Sequence, residues 1–332
     1  MNSKFHIRKS FFGALALLLV VLLLAACGSN AGSNNEGGAT ASPESSNTPA
    51  ASEENTERVV TDGMGHEVTI PANPQKVLAS YLEDHLVALN VKPVAQWSVP
   101  NGIQDYLQSG LEGVPKISYD LPVEEVASLE PDLIIIGSES QVQNDLYGQY
   151  SKIAPTYVLG DKVNSDWRAA LTTIGDLLGK KEEAEQLLAQ YDNKALELKE
   201  KLAEKAAGKK AAVLWLVQKQ FYIVGENQSS GQVLYKDLGL TPPNVTAEIP
   251  AESNAVWNPV SLEKLAELDA DYIFLVNSDT DVTETLDSAI WKGIPAVKGN
   301  RVYQIGPESS WLYSGFNAGQ GIMDDVAKSI LK

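Results

Sequence analysis

The sequence predicts an α/β protein of two Rossmann-like lobes with mainly parallel sheets, joined by one long backbone α-helix, with a ligand cleft between the lobes. Three observations carry this expectation. Short apolar runs alternate with amphipathic segments on both sides of the chain's middle, the pattern of parallel α/β domains. Between them, Lys180 to Ala207 contains no Gly or Pro and is bracketed by Gly179 and Gly208. Finally, VEEVASLEPDLIII and VSLEKLAELDADYIFL repeat one unit. Counted from Glu124 and Glu263, Leu129 and Leu268 stand at +5 and Asp132 and Asp271 at +8, and four apolar residues follow each aspartate.

Ahead of the folded body lies a segment to be set aside. Lys4, Arg8 and Lys9 precede an apolar run, Phe11 to Leu24, that ends in Leu24-Ala25-Ala26-Cys27-Gly28. The run is too short for a comfortable membrane span, which needs about 20 residues. Small residues before a cysteine fit a signal-peptidase groove, and the thiol offers a site for acylation. The order resembles the lipobox of bacterial lipoproteins, so residues 1–26 read as a signal peptide and Cys27 as the lipidated residue. Cys27 is the only cysteine of the 332 residues, which excludes an internal disulfide and a cysteine-based metal site. Cleavage before Cys27 removes three basic residues and no acids, taking the formal charge from −17 to −20. That charge argues against nucleic acid and against a polybasic membrane contact. Residues 27–57 have almost no large apolar side chain and read as a disordered tether.

The body follows in order. Val59 to Ile70 reads as a hairpin around Asp62-Gly63-Met64-Gly65. In the first lobe, 58–179, strands are expected at Val77–Ala79, Val94–Trp97, Leu133–Ile136 and Thr156–Leu159. Helices are expected at Glu83–Leu89, Glu124–Leu129, Leu146–Ile153 and Trp167–Leu178. The connecting helix, 180–207, carries one apolar stripe through Ala184, Leu187, Leu188, Tyr191, Ala195, Leu198 and Leu202. At 1.5 Å per residue it spans about 40 Å. In the second lobe, 208–332, strands are expected at Ala211–Val217, Phe221–Val224, Tyr272–Val276 and Val302–Ile305. Helical segments are expected at Gly231–Leu238, Leu262–Leu268 and from about Ala318 to Leu331.

Ligands in open α/β sheets sit beyond the carboxyl ends of the strands. Reading just past each strand gives Tyr81, Trp97, Ser138 and Arg168 from the first lobe, and Gln218, Asn277, Trp311 and Tyr313 from the second. Trp257, in a loop before the second repeat, joins them. For Trp97 and Trp311 a cleft role and a core role stand side by side, and Trp215 reads as core. The set is aromatic and neutral-polar. Few cations accompany it: Arg168, with Lys162 and Lys219 near by. A highly anionic ligand would call for several Arg or Lys; a near-neutral chelate would not. Nucleophile elbows, Walker loops and dinucleotide fingerprints are absent from the sequence, and His66 and His85 are the only histidines after residue 26. His85 reads as a packing or surface residue, so neither an enzyme nor a bare-metal site is expected. Glu124 and Glu263 are ordinary helix-start acids when taken singly. As a matched pair, one per lobe, they read as a two-point contact for a partner with two basic sockets.

These features together resemble the iron–siderophore and cobalamin class of solute-binding lipoproteins of bacterial ABC importers. The marks are Thr61-Asp62 through Pro71-Ala72-Asn73-Pro74-Gln75-Lys76-Val77, Glu124 through Leu129-Glu130-Pro131-Asp132, Ile153-Ala154-Pro155, and Trp291-Lys292 through Ala296-Val297-Lys298. Val233 to Leu240 looks particularly like ferric-hydroxamate (ferrichrome-like) binders. The resemblance implies a bilobal fold on a single backbone helix with small closure. It implies no cofactor and a ferric siderophore, Fe(III) held only through its chelator, in the cleft. It implies an ABC permease with its cytoplasmic ATPase as partner, docked on Glu124 and Glu263. It also implies a monomer anchored by lipid on the extracellular face of the cell membrane. The loop Ser309-Ser310-Trp311-Leu312-Tyr313 departs from it, because many hydroxamate binders carry arginine thereabouts. Cobalamin or haem as ligand, and a surface chelate-processing enzyme, are the competing readings.

Overall fold

The computed structural model describes residues 56–332 except Asn101, Ala251, Glu252, Asn254 and Val282. The expectations for residues 1–26, Cys27 and most of the tether lie outside the described residues.

Strands β1 (Arg58–Thr61) and β2 (Glu67–Ile70) form the expected antiparallel hairpin. The first lobe then builds β3 (Val77–Leu78), β4 (Gln96–Ser98), β5 (Lys116–Ser118), β6 (Leu133–Ile136) and β7 (Thr156–Val158). β3, β6 and β7 pair in parallel, in that order, and β4 pairs in parallel with β5. The Val94 N–H donates to the Val77 carbonyl at 2.9 Å, which sets the segment entering β4 beside β3. The second lobe holds β8 (Ala211–Val217), β9 (Gln220–Val224), β10 (Trp257–Val260), β11 (Tyr272–Asn277) and β12 (Val302–Ile305). They form one sheet of order β10-β9-β8-β11-β12, parallel across β8, β11 and β12 and antiparallel at β9 and β10.

The helices that position the site are α1 (Glu83–Ala88), α2 (Val123–Ser128), α3 (Trp167–Leu177), α4 (Lys181–Lys205), α5 (Leu262–Ala266) and α6 (Phe316–Ile330). α4 is the expected long helix, and its stripe is buried at Ala184, Tyr191, Ala195, Leu198 and Leu202. Two strands are absent from the sequence-based expectation, β5 and β10. Both are short and polar-interrupted (KIS and WNPV), so neither carries a run long enough to read as a strand. Gly231–Leu238 is less regular than expected: a short turn, Ser229–Gly231, runs into a π-helical turn, Gln232–Asp237.

The central strands are buried on both faces, as parallel strands between helices must be. On β6, Leu133 and Ile135 join a cluster that also takes in α4 and the second lobe, while Ile134 and Ile136 face a core confined to the first lobe. β11 does the same: Phe274 and Val276 face the shared cluster, and Ile273 and Leu275 face the second lobe's own core. The two lobes are thus fused through one continuous apolar layer along α4. α6 packs on this layer, and Gly319 is required there because a Cβ would collide with the Tyr191 ring.

The repeated aspartates do the same work twice. Asp132 accepts the N–H groups of Gln75 and Lys76 at 2.7 and 2.9 Å, directly before β3. Asp271 accepts the Lys210 N–H at 3.0 Å and the Lys209 ammonium at 2.9 Å, directly before β8. Each ties the entry of the second parallel strand to the entry of the first.

Candidate functional site

The chain leaves β3 through buried Ala79 and Ser80 and turns sharply at Tyr81, whose φ of 65° is left-handed. That turn throws the Tyr81 ring outward, where it is half exposed and meets Trp97 at 4.9 Å with a 54° tilt. Beneath this pair lies Glu83, completely buried, whose Oε1 accepts the Trp97 N–H at 2.6 Å. Its Oε2 has no hydrogen-bond partner among the described residues. Burial pushes the Glu83 carboxyl up to about 7, against backbone N–H donors that favour the ionised form. Tyr81, Trp97, Tyr119, Asp120, Leu121 and Gln141 line a cavity of about 370 Å³, within the range of small-molecule sites.

Tyr313 reaches this wall from the C-terminal loop. Its ring stacks on Tyr106 at 5.1 Å and stands edge-on to Tyr81 at 6.4 Å. Ser229, itself left-handed with φ 47°, donates its hydroxyl to the Tyr313 carbonyl at 2.8 Å and holds the loop. Beside them Asp84 makes the one buried carboxylate cap between the lobes among the described residues. Its Oδ1 accepts the Asn317 N–H at 3.0 Å, and its Oδ2 accepts the Ala318 N–H at 2.9 Å and the Tyr106 hydroxyl at 3.0 Å. The Asn317 side chain also donates to the Asp84 carbonyl at 2.9 Å. An acid of the first lobe therefore caps α6, where a carboxylate is favoured by the helix dipole. Gly315 is needed at that approach, because a Cβ would collide with the carboxylate. Burial raises Asp84 to about 6 despite these donors. His85, the third ionisable residue in succession, is also buried, and desolvation lowers it to about 4; it is a packing residue.

Of the expected cleft residues, the structure brings Tyr81, Trp97 and Tyr313 together, and Ser138 stands three residues before Gln141 of the cavity lining. Ser138 caps the 3₁₀ turn Glu139–Val142, whose Gln141 lines the cavity, and bonds Asp161 at 2.6 Å. Four expectations need correction. Trp311 is fully buried, stacked on Phe274 at 4.6 Å with its Nε1–H on Asp325, so it is core and not cleft. Arg168 is committed through its Nη2 to Asp192 and Asp237, at 3.1 and 3.2 Å, and lies over the Trp167 and Tyr191 rings; it stands outside the lining of the cavity. Trp257 lies on β10 rather than in a loop. Trp215 is half-buried rather than core: it groups with Trp257 and Tyr222 at 5.7 and 5.6 Å and donates to Ser278 Oγ at 2.9 Å. Gln218 and Asn277 serve turns. The Gln218 N–H and the Lys219 N–H both go to Asp279, and Asn277 Oδ1 accepts the Asp279 N–H. Lys162 is exposed, and Lys219 pairs with Glu284.

Sequence reasoning missed Glu83, Asp84, Tyr106, Tyr119, Asp120 and Gln141. For Tyr119 and Asp120 a signal existed, since they directly follow β5 and the rule of reading past each strand end finds them once that strand is seen.

Glu124 and Glu263 stand in the first turns of α2 and α5, both exposed, and neither forms an ion pair among the described residues. Glu263 is held below the usual carboxylate range by its own backbone N–H and by the Ser261 hydroxyl. Among the described residues no group of three or more His, Cys, Asp or Glu is placed to hold a metal ion, and no helix is long and apolar enough to cross a membrane.

Known proteins share this fold. The chain is 28% identical over 293 residues to the iron(3+)-hydroxamate-binding protein YxeB of Bacillus subtilis, covering 85% of this chain and 88% of YxeB. A solved FhuD-fold binding-protein component of a ferrichrome ABC transporter from B. subtilis superposes with a TM-score of 0.70 at 27% identity, covering 82% of this chain and all of that one. Staphylococcus aureus SirA complexed with staphyloferrin B superposes at 0.69 with 28% identity, covering 82% of this chain and 98% of SirA. The family described as periplasmic binding protein matches residues 83–309, more than half of the sequence, and the chain belongs to that family of receptors, which are not enzymes.

Proposed function

We propose that this chain is the lipid-anchored extracellular receptor of an ABC importer, capturing a ferric siderophore of hydroxamate type and passing it to the permease for iron uptake. The observation that carries the reading is the aromatic corner of Tyr81, Trp97 and Tyr313 beside a cavity lined by no lysine or arginine. Flat aromatic faces bury a large semi-polar chelate, and its hydroxamate oxygens meet few charges. The names of YxeB and of the ferrichrome-transporter component support the same class. Iron enters as cargo inside its chelator, and no covalent step is required.

The remaining expectations belong to this proposal. Cys27 carries the lipid, residues 27–57 the tether, and the receptor acts as a monomer. Glu124 and Glu263 meet basic residues of the permease, whose ATPase works on the far side of the membrane. The apolar layer shared along α4 favours small closure over a wide hinge swing.

Intrinsic fluorescence tests the ligand class. Ferric hydroxamates should quench tryptophan emission at micromolar concentration or below, with the largest loss of quenching in Trp97→Phe. Absence of quenching across the class sinks the ligand assignment. Glu124→Ala combined with Glu263→Ala should abolish uptake in cells while leaving that quenching intact; a double variant that no longer binds would place the acids in ligand binding instead.

A further inference from the structure

We propose that the cavity selects ferric chelates bearing a cationic group, an ammonium arm above all, and that Asp120 sets this preference. The inference rests on the siderophore reading and names the substrate class within it.

The lining decides the sign. Three aromatic rings, one carboxylate, one amide and one aliphatic side chain face the space, and no lysine or arginine does. Tyr81 and Tyr119 are 50% and 57% exposed, so their faces are free to meet a ligand. The 54° tilt between the Tyr81 and Trp97 rings makes a corner rather than a flat stack. Tilted aromatic faces attract cations through their quadrupoles, and quaternary and alkylated ammonium groups are bound in such corners. Asp120 is exposed at the same wall and forms no ion pair among the described residues. Its charge therefore falls on whatever occupies the cavity.

The nearest candidate for a cation of opposite effect is engaged elsewhere. Arg168, the arginine that the sequence offers to the cleft, is held by Asp192 and Asp237. Glu83 lies directly behind Trp97 and adds negative potential whenever it is ionised. The chelate's own chemistry supplies the rest. Three hydroxamates balance the charge of Fe(III), so a trihydroxamate complex is neutral unless an arm carries an amine. A complex with surplus carboxylates would bring negative charge against Asp120 with nothing to offset it.

The test uses the mature full-length protein and two probes, the ferric complexes of desferrioxamine B, which ends in a primary amine, and of its N-acetyl derivative. Affinities are read by tryptophan quenching at physiological ionic strength. The wild type should bind the amine form about tenfold more tightly than the acetylated form. Asp120→Asn should remove most of that difference by weakening the amine form alone, with an unchanged melting temperature. Equal affinities in the wild type, or a preference that survives Asp120→Asn, overturn the proposal. Binding of neither probe overturns the hydroxamate reading itself, and the preference with it.

Discussion

In the first lobe the chain leaves β3, passes through helix α1 and returns as β4 beside it; in the second it leaves β8, turns at Gln218-Lys219 and returns as β9. With the β4-β5 pair set beside β3 by the Val94–Val77 bond, the first lobe reads β5-β4-β3-β6-β7, matching β10-β9-β8-β11-β12 of the second, in each case with the earliest of these strands in sequence in the middle. The connection decides the rest. A two-residue turn brings the strand back antiparallel, and a helix allows a parallel return. The consequence for function is unequal. The turn places Gln218 and Lys219 in solvent, with φ of 51° and 61°, their N–H groups braced by Asp279. The helix places Glu83, Asp84 and His85 inside the protein, one under the aromatic corner and one across the lobe boundary. One topology, connected in two ways, gives a lobe that organises the cavity and a lobe whose equivalent connection is a plain surface turn.

The strongest way to break this asymmetry is to delete the brace on each side. Asp84→Ala leaves three donors unpaired, the buried Ala318 N–H and the half-buried Asn317 N–H and Tyr106 hydroxyl, and should cost about 4 kcal/mol in urea unfolding. Asp279→Ala removes two bonds from an exposed turn and should cost no more than about 1 kcal/mol. Equal losses from the two variants would mean that the α1 connection holds no special place between the lobes.

A smaller effect tests what burial does to the acids of α1. Glu83 is raised to about 7 by desolvation, so the folded state takes up a proton more readily than the unfolded chain. The stability this represents is fully present below the unfolded value near 4.5 and is lost as pH rises through 7. At about 1.4 kcal/mol per pH unit it amounts to about 3 kcal/mol. Glu83→Gln cannot ionise and should lack this decline between pH 4.5 and 7.5. His85 acts with the opposite sign, since its lowered value costs stability as pH falls from 6.5 toward 4. It is present in both proteins and drops out of the difference. Parallel stability–pH curves for wild type and variant would refute the assignment of the proton to Glu83.

These contrasts also explain which features were readable in advance. The β6 and β11 runs and the stripe of α4 are local patterns, and the structure uses them as the sequence implies; Asp132 and Asp271 are legible as a matched register, while their ties to the strand entries come from the structure. The α1 trio is not local. Nothing in Glu-Asp-His at a helix start marks it as buried, because periodicity reports which face is apolar and not that a distant helix N-terminus, at Asn317 and Ala318, needs a cap. Trp311 failed for a related reason. Its position past β12 promised an edge, but Phe274 and Asp325 claim its two sides. Arg168 has donors enough for a ligand, yet Asp237, delivered by the irregular turn Gln232–Asp237, lies 69 residues away in sequence.

The smallest effect asks whether the duplication is structural or only written in the sequence. Asp132 and Asp271 occupy the same place in their lobes, each bonded to the backbone just before the first parallel strand. If the repeat is one device used twice, Asp132→Ala and Asp271→Ala should each cost about 1–2 kcal/mol. They should agree within about 0.5 kcal/mol and add in the double variant, because the sites lie in different lobes and share no hydrogen-bond partner among the described residues. The Asp271 carboxylate also pairs with the Lys209 ammonium at 2.9 Å and faces the Arg301 guanidinium at 3.8 Å, so any excess should fall on that side. Although burial opposes ionisation there, the Lys210 N–H and the Lys209 ammonium hold Asp271 below its usual range. The stability it contributes is present above the usual aspartate value and is lost as pH falls through its own lower value. The penalty of Asp271→Ala should therefore shrink in acid, below pH of about 4. A silent Asp132→Ala beside a costly Asp271→Ala would mean that the +8 aspartate is a structural tie in one lobe and a vestige of register in the other. The matched placement of Glu124 and Glu263 would then lose the support it draws from the shared frame.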